Sequence, residues 1–475
     1  LVLKILNQQK ILLLILLSGI LFRAYNINFD DYWYDEIISL WVSSPEHDFS
    51  KSFDIHNKIE INTYTYHFFL KTTYYFFGYD PAYGRYFSAV FGIFSILLII
   101  LFFSNQKNKN LNNFTLFLLS FNIYHISYSQ EARVYSVLFF FSLLSFLFFI
   151  RCIEKQKNNL NYIGFILFSL IAIFLHPFSL IILFSFIVFL MSRFIFQKII
   201  YKKLNYSILV ITLISILFYY FYLISLELIH SKHYWIKNPD LGFYSNFFFS
   251  NFFGSRIMGI IFLLSLFFLI FKNIKFFLKL DILTVFLISI FLGYFLPIIF
   301  GYLFKPVLIS RYIIFVLIPI ILLISSLIFK IRNPKIRNFM IIFLVSITIG
   351  NHFTEQTTKQ FFSDRIPSKP QYKKAFEYVA ESEIQNYTIV VKNMKSDEET
   401  LNAIVNYIDI IEKKNNFNVN YIDLNNSINS ISQVWVFCPQ DINSKECNVP
   451  KLLSNYKIIK KKNFNNINLK LVKLI

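Results

Sequence analysis

Apolar runs of bilayer-spanning length recur along this chain, and that recurrence constrains its fold class before any motif is read. They begin with Ile11 to Phe22 and return at Arg85 to Ser104, Ile208 to Ile224, Ile257 to Phe271, Ile282 to Phe300, Tyr312 to Phe329 and Phe339 to Gly350. Shorter runs lie near Phe114 and Phe165. About 20 apolar residues cross the hydrocarbon core as a helix. The runs are continuous rather than alternating in period two, which argues against a β-barrel. Composition agrees: of 475 residues, 56% are hydrophobic, 20% aromatic and only 15% charged. Run length and loop charge together predict an α-helical polytopic membrane protein with about 11 transmembrane helices.

The net charge of +19 raises the question of nucleic acid. The Lys and Arg residues fall mostly in short loops between apolar runs, where the positive-inside bias puts them, and no basic recognition motif accompanies them. No nucleic-acid partner is expected. The first run lacks a small-residue cleavage site and many spans follow, so it reads as a retained helix. Lys4 and Lys10 place the N-terminus inside. The strongly basic short loops then share one side, and the loop at 23–84, Glu131 and His176 share the other.

Composition shifts after Asn351. Residues 352–475 are polar, Asn-rich and Lys-rich without a spanning run. Strand-like pieces at Tyr387 to Val391, Asn418 to Ile422 and Gln433 to Phe437 alternate with helix-like pieces at Gln371 to Ile384 and Glu398 to Ile411. The alternation predicts a soluble α/β domain. Two domains follow: a transmembrane domain over 1–351, including the first outer loop at 23–84, and an extracytoplasmic α/β domain over 352–475. Cys438 and Cys447 lie close in sequence on the expected oxidising side, which predicts a disulfide.

Just past the first run stands Asp30-Asp31-Tyr32-Trp33-Tyr34-Asp35-Glu36, four carboxylates among three aromatics. One reading is a solvated loop beside the headgroups. The other makes Asp35 or Glu36 a general base, because a hydroxyl acceptor must lose its proton as it attacks. Ionisable residues at membrane depth usually mark function. The outer-face set is Asp35, Glu36, Glu60, Arg85, Gln130, Glu131, Arg133, His176, Lys305 and Arg311. Arginine suits a phosphate because its planar fork holds two oxygens at once, so an anionic lipid is a candidate substrate. Against this, Arg85 and Arg311 open spans and snorkelling alone would explain them, Glu131 and Arg133 can pair locally, and His176 precedes Pro177 at a helix end. His47, His56, His67, Glu60 and Glu36 include metal-ligand types, but without tight ligand spacing; the metal is unknown, and acidic loop residues can bind a divalent ion weakly.

Several pieces, in order, resemble the GT-C superfamily of polytopic glycosyltransferases, most of all bacterial members related to protein O-mannosyltransferases, aminoarabinose transferases and RgtA/B/C/D-like transferases. They are Trp33-Tyr34-Asp35-Glu36, Gly84-Arg85-Tyr86-Phe87-Ser88, Tyr128-Ser129-Gln130-Glu131-Ala132-Arg133-Val134-Tyr135, Leu175-His176-Pro177-Phe178, and Ser310-Arg311-Tyr312 followed by Pro319. The resemblance covers about the first 350 residues. A His-Pro-Pro segment common in the family is replaced here by Asn62-Thr63-Tyr64-Thr65-Tyr66. The resemblance implies a sugar on a polyprenyl phosphate as donor, a lipid, glycan or protein as acceptor, and inverting transfer at the outer face of a bacterial plasma membrane. It implies Asp35 as catalytic base, with Glu36 beside it. Arg85, Arg133 and Arg311 are expected at the donor phosphate, and Gln130, Glu131, Tyr135, His176 and Trp33 around the acceptor pocket. No redox cofactor is required. A polysaccharide polymerase or ligase and a non-enzymatic lipid or glycan transporter are the alternatives; a transporter would carry internal repeats, and none is visible.

Overall fold

A computed structural model describes residues 2–60, 63–103, 109–225, 249–304, 306–354, 367–390, 397–422, 432–439 and 455–474. The chain divides into two compact units. The first comprises Leu1–Tyr25, Ser88–Ser225 and Tyr234–Arg365; the second comprises Asn26–Phe87, Leu226–His233 and Ile366–Ile475.

The first unit is helical. Among the described residues, seven helices are long and apolar enough to cross a membrane: Pro81–Leu101, Tyr135–Glu154, Pro177–Gln197, Lys202–Tyr222, Leu283–Leu303, Ser310–Phe329 and Pro334–Thr354. The other runs counted in the sequence are helical too, at Val2–Ala24, Lys109–Ser120, Asn159–Leu175 and Arg256–Lys272. Lipid supplies no hydrophobic force between helices, so close packing and interhelical hydrogen bonds hold them. Phe149 stacks on Phe186 with ring centroids 4.0 Å apart. The hydroxyls of Ser145 and Ser169 meet at 2.7 Å. Gly164 lies where a Cβ would stand 2.5 Å from the Phe148 ring, so a larger residue would push the two helices apart.

Arg23, in the last turn of the first helix, is fully buried. Its guanidinium donates to the carbonyls of Gly19, Leu119 and Ser120 at 2.9–3.0 Å and to His125 Nδ1 at 2.8 Å. Leu119 and Ser120 end the Lys109–Ser120 helix, where carbonyls lack intrahelical donors and the dipole favours a cation. His352 Nε2 reaches the Phe121 carbonyl at 2.7 Å beside them. This residue, placed at the edge of an outer loop by sequence, is therefore a buried tie between helices.

The second unit joins the first loop to the C-terminal domain. The loop folds as three helices, α2 (Tyr34–Val42), α3 (Phe49–Ile59) and α4 (Thr65–Phe77). The α/β part is a five-stranded mixed sheet of order β2-β1-β3-β5-β4. Its strands are β1 (Asn386–Ile389), β2 (Asn420–Tyr421), β3 (Gln433–Pro439), β4 (Tyr456–Phe464) and β5 (Ile467–Leu474). Helices Tyr372–Ala380 and Asp397–Asn415 complete it. The last two strands went unread in the sequence, because lysine interrupts their apolar alternation. Their hairpin turns at Asn466, whose φ of 53° suits asparagine better than most side chains.

Aromatic and acidic residues of the loop bind this domain directly. Tyr34 Oη meets Thr400 Oγ1 at 3.1 Å, Trp41 Nε1 donates to Glu399 at 3.2 Å, and Tyr79 Oη donates to Asn406 at 2.8 Å. The Tyr407 hydroxyl accepts from the Tyr32 amide at 3.2 Å. Cys438, on β3, is disulfide-bonded; Cys447, the partner expected from sequence, lies outside the described residues, as does Lys305.

Candidate active site

In the second unit the acidic cluster separates into distinct tasks. Asp30 accepts from the amide and hydroxyl of Ser368 at 3.0 and 3.1 Å, and Asp31 accepts from the Lys373 amide at 2.8 Å. Lys373 lies in the first turn of the Tyr372–Ala380 helix, so Asp31 satisfies an amide that the helix cannot. Burial raises the Asp31 carboxyl to about 6 despite the Lys373 amide and the Arg85 charge. These two carboxylates hold the C-terminal domain.

Glu36 and Arg85 form a bidentate pair at 2.9 and 2.7 Å, with both side chains buried. The remaining Arg85 donors go to the carbonyls of Ile27, Asp30 and Asp31 at 3.2, 2.6 and 3.1 Å. Its guanidinium also lies 4.6 Å from the centre of the Tyr32 ring. A guanidinium has five N–H groups, and all five are engaged. The structure therefore gives Arg85 a task other than the phosphate contact expected from sequence: it fixes the first turn of α2. Glu36, expected as a catalytic partner, spends both oxygens on the same tie. What the tie holds is Asp35, the neighbouring residue in that turn, which is only partly buried. Trp33 precedes the helix as its N-cap, with Lys369 Nζ 4.4 Å above its ring.

Lys71, on α4, donates to the carbonyls of Ser44 and His47 and to Ser52 Oγ at 3.0 Å. It clamps the turn between α2 and α3. His56 and His67 have ring centroids 4.9 Å apart, yet among the described residues no group of three or more His, Cys, Asp or Glu gathers as a metal would need. The loop residues among those described do not fit a metal site.

In the first unit, a second set of the expected residues comes together. Pro177 disfavours helical backbone at the residue before it, so the Asn159–Leu175 helix stops and His176 is extended, with φ −158° and ψ 128°. His176 Nδ1 then accepts the Phe178 amide at 3.2 Å. That bond leaves the neutral ring's proton on Nε2, a buried atom with no hydrogen-bond partner among the described residues. Arg311 and Arg133 both act electrostatically on this ring. The Tyr312 ring lies 4.9 Å from His176. Arg311 lies 5.8 Å from the centre of the Tyr135 ring, and Tyr135 itself is fully buried. Arg133 is also buried, in a turn whose following helix, Tyr135–Glu154, is tied to Pro81–Leu101 by Ser136 Oγ donating to the Ser88 carbonyl at 2.7 Å. Two guanidiniums and an imidazole N–H thus share one aromatic-walled neighbourhood, a donor set suited to an anion with several oxygens. Glu131, from the same turn, is partly buried.

Gln130 does something else. Its amide donates to the carbonyls of Phe22 and Tyr25 at 2.9 and 3.3 Å. Both its N–H groups cap the end of the first helix, so the acceptor-pocket role expected from sequence has no free donor behind it. Tyr312 belongs to a quoted motif, and its signal is aromatic character next to Arg311, which the abundance of Tyr and Phe conceals.

No protein-family model and no curated protein matches this chain. Solved structures do. ArnT from Cupriavidus metallidurans in the apo state superposes with a TM-score of 0.57 at 10% identity, covering 93% of each chain. The same protein bound to undecaprenyl phosphate gives 0.54 at 8% identity, over 98% of this chain and 97% of that one. The oligosaccharyltransferase AglB from Archaeoglobus fulgidus, in complex with an inhibitory peptide and a dolichol-phosphate, gives 0.51 at 9% identity, over 90% of this chain and 69% of that one.

Proposed function

This chain has the GT-C fold shared by ArnT and AglB, and we propose that it is a glycosyltransferase drawing its sugar from a polyprenyl phosphate. The reading places it in a bacterial plasma membrane, with Asp35 and the C-terminal domain extracytoplasmic. The supporting observation is the cluster of Arg133, Arg311 and His176, three donors for an anion in an apolar, aromatic setting. A lipid phosphate has that chemistry: several anionic oxygens on an apolar tail.

In this reading Asp35 accepts the proton of an acceptor hydroxyl as its oxygen bonds to the anomeric carbon. The bond from that carbon to the phosphate oxygen breaks on the opposite face, and the electron pair leaves with the phosphate. The configuration inverts. Within the first unit, Arg133, Arg311 and His176 Nε2–H are the groups suited to stabilising the charge of an anion. Glu36 and Arg85 take no proton; they hold the helical turn that presents Asp35. The acceptor is a hydroxyl of a lipid, a glycan or a protein.

Purified protein in nanodiscs tests this. Asp35→Asn is expected to bind the donor lipid with unchanged affinity and to lose turnover. Near-normal turnover in that variant would remove Asp35 as the base.

A further inference from the structure

The last two strands carry more positive charge than their place in the sheet requires. Lys457, Lys460, Lys461 and Lys462 lie on β4, Lys470 and Lys473 on β5, and neither strand contains Asp or Glu. β4 is an outer strand. Lysine or a bulge protects such an edge from pairing with another chain, and β4 has both, its register slipping between Ile458 and Lys460. Edge protection does not account for Lys470 and Lys473, because β5 is paired on both sides. Lys457 sits opposite Lys473, and Lys461 opposite Lys470. Like charges so placed destabilise a sheet, so an arrangement of this kind points to an anion outside it.

The lysines are also positioned. Lys460 and Lys462 stand 5.3 and 5.6 Å from the centre of the Tyr378 ring. Among the described residues, no carboxylate makes a salt bridge with Lys457, Lys460, Lys461, Lys462 or Lys473. Apolar side chains are exposed beside them: Ile458 at 36%, Ile459 at 52% and Leu474 at 42%.

We propose that the β4–β5 hairpin is a docking surface for anionic lipid headgroups, its lysines meeting phosphates while Ile458, Ile459 and Leu474 enter the interfacial layer. Basic side chains mixed with exposed aliphatic ones are the composition that binds an anionic bilayer surface. A soluble polyanion would engage the lysines and leave the isoleucines in water. Lipid is also the solvent that the seven long apolar helices among the described residues require. The inference does not depend on the transfer chemistry.

The test uses the full chain carrying Ile459→Cys, labelled with an environment-sensitive fluorophore. Cys152 is buried and Cys438 is disulfide-bonded; the unsubstituted chain, labelled in parallel, gives the background from the remaining cysteine. In nanodiscs containing phosphatidylglycerol, the label is expected to shift to the blue, and high salt should reverse the shift. In pure phosphatidylcholine it should stay in water. Replacing Lys460, Lys461 and Lys462 by serine should lower the docking equilibrium constant roughly five-fold per lysine, while replacement by arginine should preserve it. An identical spectrum in both lipids would overturn the proposal. So would a shift produced in phosphatidylcholine nanodiscs by added polyphosphate but not by phosphatidylglycerol, which would assign the ribbon to a soluble polyanion.

Discussion

The proposed reading gives two arginines of similar sequence appearance different duties. Arg85 and Glu36 satisfy one another in a buried pair, and removing one partner leaves an uncompensated charge. Arg85→Ala and Glu36→Gln are each expected to lower stability by about 3–5 kcal/mol, seen as a fall in Tm, with activity lost alongside. Arg133→Ala and His176→Ala should instead weaken donor binding about tenfold or more, the scale of a hydrogen bond to a charged group, measured as donor-lipid affinity below the Tm of each variant. A normal donor affinity in both would return Arg133 and His176 to purely structural roles. Titration separates two further residues. Burial, with Lys51 and Lys71, lowers the His47 imidazole to about 4. The folded protein prefers it neutral, so its contribution is complete above the unfolded value near 6.5 and disappears as pH falls through about 4. Asp31 runs the other way. With its carboxyl raised to about 6, its contribution is complete below the unfolded value near 3.8 and disappears as pH rises through about 6. Thermal unfolding across pH should show both trends, the first absent in His47→Gln and the second in Asp31→Asn.

At the scale of elements, the loop helices and the C-terminal domain form one unit. The α2 helix sets Tyr34 and Trp41 against the Asp397–Asn415 helix, while Asp30 and Asp31 occupy amides at 368 and 373. Ending the chain after residue 365 would remove every one of these partners. We expect the truncated protein to insert in membranes, to be cleaved by protease within residues 26–87 where the full chain resists, and to lose transfer. A truncated chain with protected loop helices would show that α2, α3 and α4 stand without the domain.

At the scale of the whole molecule, the proposed activity makes a choice between donor classes. In the proposed reading Arg133, Arg311 and His176 serve one phosphate, and a diphosphate would bring further anionic oxygens. The protein is expected to turn over a polyprenyl-monophosphate sugar and to leave a diphosphate-linked one untouched, as followed by release of the lipid phosphate. Preference for the diphosphate donor would favour a polymerase or ligase.

Local physics carried much of this into the sequence. Apolar run length announced the helices, because a lipid-facing segment must satisfy its own backbone and can do so only as a helix or a closed barrel. Pro177 announced the break at which His176 stands, and the β1 and β3 strands showed as β-branched and aromatic runs. The residues that need an environment were not legible. Nothing in the order of Asp30, Asp31, Asp35 and Glu36 says that the first two bind the amides of Ser368 and Lys373 and that the last is neutralised by Arg85, since those partners lie 49 to 342 positions away. Nor does sequence distinguish Arg85, with five engaged donors, from Arg133 and Arg311 around one imidazole. Charge type is written residue by residue; whether a charge serves as a tie or as a binding group depends on which other groups folding brings within a few ångströms, and tertiary structure alone decides that.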